Sequence, residues 1–218
     1  MRKYYMAYEE RYKQVHKKGL LWGNKEPIKE FVKWTKINKI PQSEEIYEMG
    51  CGEGRDAIFL AKNRYNVLAI DVSKTAIKKC KELSKGLPIK WKVGDVLNYI
   101  PNKKFIWIYS IGVLHMFVKD RDRRKFLKNM YKSLATNGKA FILIKGNGKT
   151  ELCTDASKAF ENAKRIHRET KKEMQLATTS YRAVKWEYFT NELTQAGFKI
   201  IKIKNCIDNS YGERILSP

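Results

Sequence analysis

Glu48-Met49-Gly50-Cys51-Gly52-Glu53-Gly54-Arg55-Asp56 follows a short apolar run that starts at Ile46. Three alternate glycines ahead of a helical pattern let the backbone turn sharply and let a ligand press on it with no Cβ in the way. The run Ile46–Met49 reads as a strand and 54–64 as a helix. Outward from this turn the alternation repeats. Strand Asn66–Ile70 leads to helix 74–84, which Ser73 can cap and whose inward face is Ala76, Ile77, Cys80 and Leu83. Strands Ile89–Val93 and Phe105–Tyr109 follow, then helix 121–135 with Phe126, Leu127, Met130, Tyr131 and Leu134 on one stripe. The Asn137-Gly138 turn opens strand 139–145. Ahead of this core, 4–18 and 27–38 read as helices. Behind it come a polar, mostly helical stretch (155–175), helix 187–196, strand Phe198–Cys206 and a last short strand near 212–216. Such alternation implies a mostly parallel sheet with helices on both faces.

In sheets of this kind ligands bind beyond the carboxyl ends of the strands, where strand order reverses. Two acids sit there. Asp71, 17 residues beyond Gly54, ends the second strand and is placed to accept hydrogen bonds from ribose hydroxyls, with Val72 beside it. Asp95, in Val93-Gly94-Asp95-Val96, follows the third strand, where a carboxylate can receive an exocyclic amine while Val96 packs on a base. Glycine loop, ribose acid and adenine acid in this order suit an adenosine-type ligand. Dinucleotide loops read GxGxxG and cradle a pyrophosphate, whereas here position 55 is Arg and the spacing is GxGxG. The acids Glu48, Glu53 and Asp56 repel a pyrophosphate and tolerate a sulfonium and an ammonium group. The expected cofactor is therefore S-adenosyl-L-methionine, with S-adenosyl-L-homocysteine as product, rather than NAD.

On these residues the chain resembles the class I S-adenosylmethionine-dependent methyltransferases. The likeness covers roughly 40–146 well and Trp186–Cys206 more loosely. Glu48–Gly54 matches the first family motif, Asp71 the ribose acid, Gly94-Asp95-Val96 the adenine motif and Ser110-Ile111-Gly112-Val113-Leu114-His115 the stretch after the fourth strand. Within the superfamily, Gly54-Arg55-Asp56-Ala57 and Leu114-His115-Met116 look like small-molecule enzymes of the thiol, thiopurine and tellurite type. Tyr8-Glu9-Glu10-Arg11-Tyr12, followed by Leu21-Trp22-Gly23, resembles their N-terminal lid. The resemblance implies an α/β, three-layer Rossmann-like fold with a seven-stranded, mostly parallel sheet, an antiparallel last strand and an N-terminal helical cap. The final strand must fit into 211–218. The chain is then one methyltransferase domain, with a cap (1–40), a cofactor-binding core (41–146) and a substrate-side helix with C-terminal strands (147–218).

Composition bounds the partners. The 218 residues fit one domain that buries roughly 70% of its unfolded surface. The longest clean apolar runs, such as Ala140–Ile144, fall far short of the roughly 20 residues that span a bilayer, and Met1–Met6 predicts no signal peptide. Cys51, Cys80, Cys153 and Cys206 form no CxxC pair and no metal pattern with His16, His115 or His167, which suits a cytoplasmic protein with free thiols and no metal. The net charge is +22, but Lys supplies 34 of the 45 cations and Arg, the better phosphate reader, only 11. Nucleic acid is thus an open partner and not the favoured one. The basic run Lys119–Lys132 reads as a solvated helix face, so neutralising Arg121, Arg123 and Arg124 is expected to leave activity nearly unchanged.

For the cofactor the candidate residues are Glu48 (ammonium), Gly50, Cys51, Gly52, Gly54, Asp71, Val72, Asp95, Val96 and Ser110, which would border the methyl group. Cys51 reads as a small buried thiol, since no base accompanies it. His115 lies after the fourth strand and is either a general base facing the acceptor or a histidine that ties down its loop. Tyr8, Tyr12 and Trp22 are expected to close over the acceptor, which is read as a small molecule with sulfur or another soft nucleophile. Two alternatives stay open, an RNA (tRNA) methyltransferase and a non-catalytic S-adenosylmethionine-binding module. Oligomeric state is not legible.

Overall fold

A computed structural model describes residues 2–167, 169–208 and 213–217, with only the backbone of Ile207, Asp208 and 213–217. Five parallel strands form its centre: β1 (Glu45–Met49), β2 (Asn66–Asp71), β3 (Ile89–Val93), β4 (Phe105–Ile111) and β5 (Leu134–Lys145), side by side in the order β5-β4-β1-β2-β3. Strand order reverses between β1 and β4, so their carboxyl ends frame one crevice. Successive residues of β1 point to opposite faces and both faces are buried. Ile46 enters a core with Phe31, Leu60 and Ile77, whereas Tyr47 enters one with Ile108, Phe126, Met130 and Phe189.

The first of these cores is covered by α2 (Lys29–Ile37), α3 (Arg55–Lys62) and α4 (Lys74–Leu83), the second by α5 (Asp120–Ser133) and α6 (Trp186–Gln195). Ser73 caps α4 as its sequence indicates, its hydroxyl accepting from the Ala76 amide at 2.9 Å. The 4–18 helix starts as one 3-10 turn (Tyr4–Met6) before α1 (Ala7–His16).

Four sequence expectations need correction. The stretch 155–175 is not mostly helical. One 3-10 turn (Ala156–Phe160) precedes an antiparallel hairpin of Asn162–Ile166 with Glu173–Ala177. Met174 and Leu176 alternate with polar residues, and both pack on Val15 of α1, a partner no local pattern announces. The expected strand from Phe198 starts only at Lys204. Phe198 is instead held edge-on to Tyr131, and Ile201 is 77% exposed. Leu83 is not on the inward face of α4 but half exposed. The fourth concerns Arg123, which is fully buried rather than solvated. Its Nε and Nη2 donate to the Glu192 carboxylate at 2.7 and 2.6 Å, and its Nη1 to the carbonyls of Leu114 and Phe117. Arg121, Arg124, Lys125 and Lys128 do face solvent. Among the described residues no helix is long and apolar enough to cross a membrane.

Candidate active site

A cavity of about 420 Å³ opens at the carboxyl ends of β1, β2 and β4. Gly50 and Gly52 of the glycine turn form its floor, whereas Gly54, expected there too, packs toward Trp91 and Cys80 and does not line it. Gly50, Gly52 and Gly54 all have positive φ, at +84°, +54° and +79°. A Cβ on Gly50 would overlap the Val113 side chain, and one on Gly52 would lie 2.7 Å from the Tyr12 hydroxyl oxygen. These positions accept only glycine without rearrangement.

Asp71 locks the floor to β2. Its Oδ2 accepts from the Gly52 amide and its Oδ1 from the Ser73 amide, each at 2.8 Å. Burial pushes its carboxyl up to about 6 against these two hydrogen bonds. Glu48 is buried and lines the cavity, with the Tyr109 hydroxyl beside it, and among the described residues its Oε2 makes no hydrogen bond of good geometry. Burial, and then the neighbouring Asp56, raise its carboxyl well above the ordinary range. A buried carboxyl with one oxygen unsatisfied, beside a glycine cradle, fits the ammonium of S-adenosylmethionine, which could pair with it and restore its charge. Gly50, Cys51, Gly52, Asp71, Val72, Asp95 and Val96 line the same cavity. Cys51 is buried, and burial raises its thiol.

Ser110 is a correction. It is buried and does not line the cavity, because its hydroxyl donates to the Met49 carbonyl at 2.8 Å, stitching β4 to β1. Ile111, Gly112 and Val113, one step further along, face the cavity in its place.

The roof comes from the N-terminus. Tyr8, Tyr12 and Trp22 line the cavity. What sequence reasoning missed is the set of polar latches holding this roof down. Asp95 Oδ2 accepts from Lys3 Nζ (2.7 Å), the Tyr5 hydroxyl (2.9 Å) and Asn98 Nδ2 (2.8 Å). Burial opposes its ionisation, yet the bonds from Lys3, the Leu97 amide and Tyr5 keep its carboxyl below the usual range. Glu9 accepts from the Ser73 and Thr75 hydroxyls at 2.6 and 2.7 Å, at the start of α4. Glu53 accepts from His16 Nε2 (2.6 Å) and from the Trp22 and Gly23 amides (2.9 and 2.7 Å). Asp56 accepts from the Ile28 amide at 3.0 Å and from Arg55. Two of the loop acids read from sequence as a field for a sulfonium therefore fasten the N-terminal segment. The only advance signal was the density of Glu and Tyr in Tyr4–Tyr12. Tyr4, Tyr5 and Ala7 also join the main core, so this segment is part of the folded body and not a detachable flap.

His115 lines the cavity and is buried. Its Nδ1 accepts from the Lys145 amide at 3.2 Å. A backbone N–H can only donate, so the lone pair at Nδ1 is engaged and the ring proton sits on Nε2. Burial, then Lys145 and Arg123, lower its pKa to about 3. A general base needs a free lone pair toward the acceptor; this ring offers a donor. We expect kcat/KM to show no inflection from His115 between pH 5 and 8, and His115→Gln to retain activity within about tenfold. Sign also follows for stability. With the folded pKa depressed, stability falls as pH drops from about 6.5, the unfolded value, toward 3, and His115→Gln should flatten that limb in a urea titration. Among the described residues no group of three or more His, Cys, Asp or Glu is placed to hold a metal.

Comparison with known proteins agrees with this geometry. Residues 46–138 match a family model described as a methyltransferase domain. The human protein "EEF1A lysine methyltransferase 2" is 28% identical over 153 residues, covering 66% of this chain. The chain spans about 65% of the length of that relative. A S-adenosylmethionine-dependent methyltransferase from Clostridium acetobutylicum superposes with a TM-score of 0.66 at 19% identity, covering 86% of this chain and 87% of the other. Burkholderia thailandensis 1,6-didemethyltoxoflavin-N1-methyltransferase, solved with 1,6-didemethyltoxoflavin and S-adenosylhomocysteine, gives 0.64 at 14% identity, covering 85% and 73%.

Proposed function

We propose that this class I S-adenosylmethionine-dependent methyltransferase acts on a small-molecule acceptor, with a thiol or another soft nucleophile as the preferred class. One observation carries the reading. The N-terminal segment is latched to Glu53, Asp95, Ser73 and Thr75 and roofs a cavity of about 420 Å³, which suits a small acceptor better than a bulky surface.

Within this reading Asp71 and Val72 take the ribose, Asp95 and Val96 the adenine, and Glu48 the ammonium, while the backbone at Gly50, Cys51 and Gly52 follows the methionine chain. Lys3, whose side chain is 51% exposed, is the latch that yields when an adenine amine reaches Asp95. The bound donor supplies a methyl on a sulfonium, which an acceptor attacks in line as the sulfonium becomes a neutral thioether. The protein's part is alignment and exclusion of water. Tyr8, Tyr12 and Trp22 cover the acceptor, and His115 presents Nε2–H to it rather than taking its proton. An acceptor already ionised at working pH, such as a thiolate, needs no base. That agrees with a site whose histidine is locked neutral.

The reading also assigns 1–40 as roof, 41–146 as cofactor core and 147–218 as acceptor-side wall, in a cytoplasmic protein. It extends the sheet to seven strands with an antiparallel end. Support comes from the backbone register of Lys204–Asp208 with Glu213–Ser217, and of Ile215 and Leu216 with Lys145 and Ile144. Residues 209–212 and Pro218 lie outside the described residues.

Two measurements test it. Calorimetry should show saturable S-adenosylhomocysteine binding and none for NAD, and Asp71→Ala should weaken the former by about 1.5–3 kcal/mol. Labelled donor offered to thiols, phenols, amines, transfer RNA and lysine-bearing proteins should mark a small molecule. Labelling confined to protein lysine or to RNA would refute the acceptor class.

A further inference from the structure

Arg11 is a buried cation with no anion beside it among the described residues. It is 5% exposed and lines the same cavity. Its Nε and Nη2 donate to the Ala177 carbonyl at 2.9 and 2.5 Å, and Nη2 also to the Thr178 carbonyl at 2.6 Å. These bonds use two of the three guanidinium nitrogens. Nη1, with two N–H groups, has no acceptor among the described residues. The Tyr8 and Trp22 rings lie 5.2 and 4.6 Å from the guanidinium carbon, and no Asp or Glu pairs with it among the described residues. Arg123 is the contrast within the same chain: equally buried, and matched by both oxygens of Glu192.

Removing a guanidinium from water is costly unless a negative charge compensates it, and carbonyl dipoles and ring faces carry no net charge. Burial lowers the Arg11 pKa, and the nearby cation Arg165 lowers it further against the opposing Tyr8 and Tyr12. Meanwhile the cavity's carboxylates are committed: Glu53 and Asp56 to the roof, and Glu48, Asp71 and Asp95, under the reading above, to the donor. The carbonyls that hold Arg11 belong to 177–178, in the segment beyond the cofactor core. The uncommitted Nη1 favours a charge-assisted hydrogen bond to a carboxylate oxygen, and the flanking Tyr8 and Trp22 rings favour a flat apolar body behind it. We propose that Arg11 receives the carboxylate of the methyl acceptor, which is therefore a small, flat organic acid. This rests on the small-molecule reading given above and narrows it.

The donor's own methionine carboxylate is the other source of the same chemistry, and the experiment separates them. Protein saturated with S-adenosylhomocysteine is titrated with 4-mercaptobenzoate and benzoate, and with the neutral thiophenol and benzamide. The acids should bind at least tenfold tighter than their neutral counterparts, and Arg11→Gln should abolish that preference while S-adenosylhomocysteine affinity stays within about threefold. Arg11→Lys, which keeps the charge but cannot hold the 177–178 carbonyls and present an N–H to the cavity at once, should retain part of it. Equal binding of acids and neutral analogues by the unaltered protein overturns the proposal, and that arm decides even if Arg11→Gln does not fold. A tenfold or larger loss of S-adenosylhomocysteine affinity in Arg11→Gln, with 5′-methylthioadenosine unaffected, assigns the guanidinium to the donor and overturns it too. Methyl transfer to thiophenol no slower than to 4-mercaptobenzoate removes the carboxylate but leaves the small-molecule reading. Transfer only to protein or RNA removes that reading itself.

Discussion

Arg123→Ala is expected to destabilise the protein by about 3–5 kcal/mol, the range for breaking a buried ion pair from one side. The substitution leaves the Glu192 carboxylate, 7% exposed, without its two donors, and frees the carbonyls of Leu114 and Phe117. Those carbonyls flank His115 and Met116, so the cavity wall should loosen along with the α5–α6 contact. Urea unfolding gives the measurement through the midpoint at constant slope. Arg121→Ala and Arg124→Ala, on the exposed side of the same helix, should each stay within about 0.5 kcal/mol. Replacing both partners, Arg123→Met with Glu192→Leu, should recover much of the loss, because no charge is then stranded. An Arg123→Ala protein as stable as Arg121→Ala contradicts the buried pair.

Gly50→Ala should weaken S-adenosylhomocysteine binding by a factor of 100 or more, which is about 2.7 kcal/mol or more. Two costs combine at this residue. A left-handed φ of +84° costs an L side chain roughly 1–2 kcal/mol. The added methyl also overlaps Val113, itself buried in the cavity wall, so either the glycine turn or the Val113 loop must shift. Gly86→Ala separates the two. Its φ is +81°, almost the same, but nothing lies within 4 Å of the added carbon. It should cost the backbone strain alone and leave binding unchanged. Calorimetry on both variants reads the difference directly, and an undiminished affinity in Gly50→Ala excludes Gly50 from the floor of the donor site.

Much of this molecule is local in origin. The order β1 to β5 and the positions of Asp71 and Asp95 follow from apolar runs, turns and caps within a few residues of each other, because strand and helix periods are properties of neighbouring side chains. The left-handed glycines are legible for the same reason. Four residue-level features were not. Arg123 carries the same charge as its exposed neighbours Arg121 and Arg124, and only the approach of α6, which brings Glu192 to it, makes one of the three a core residue. Ser110 sits one position short of the cavity because β4 lies in register against β1, a pairing set across the sheet. The hairpin 162–177 exists because Val15 of α1 offers Met174 and Leu176 an apolar surface. His115 follows its strand as a general base could, and its proton is nonetheless placed by the Lys145 amide, which reaches it across 30 positions of chain. Sequence by itself determined the alternating core of strands β1 to β5 with their helices, and the crevice at their carboxyl ends. Which polar groups remain available to a ligand there was decided only by tertiary structure, since charge and hydrogen bonding depend on partners brought together from distant parts of the chain.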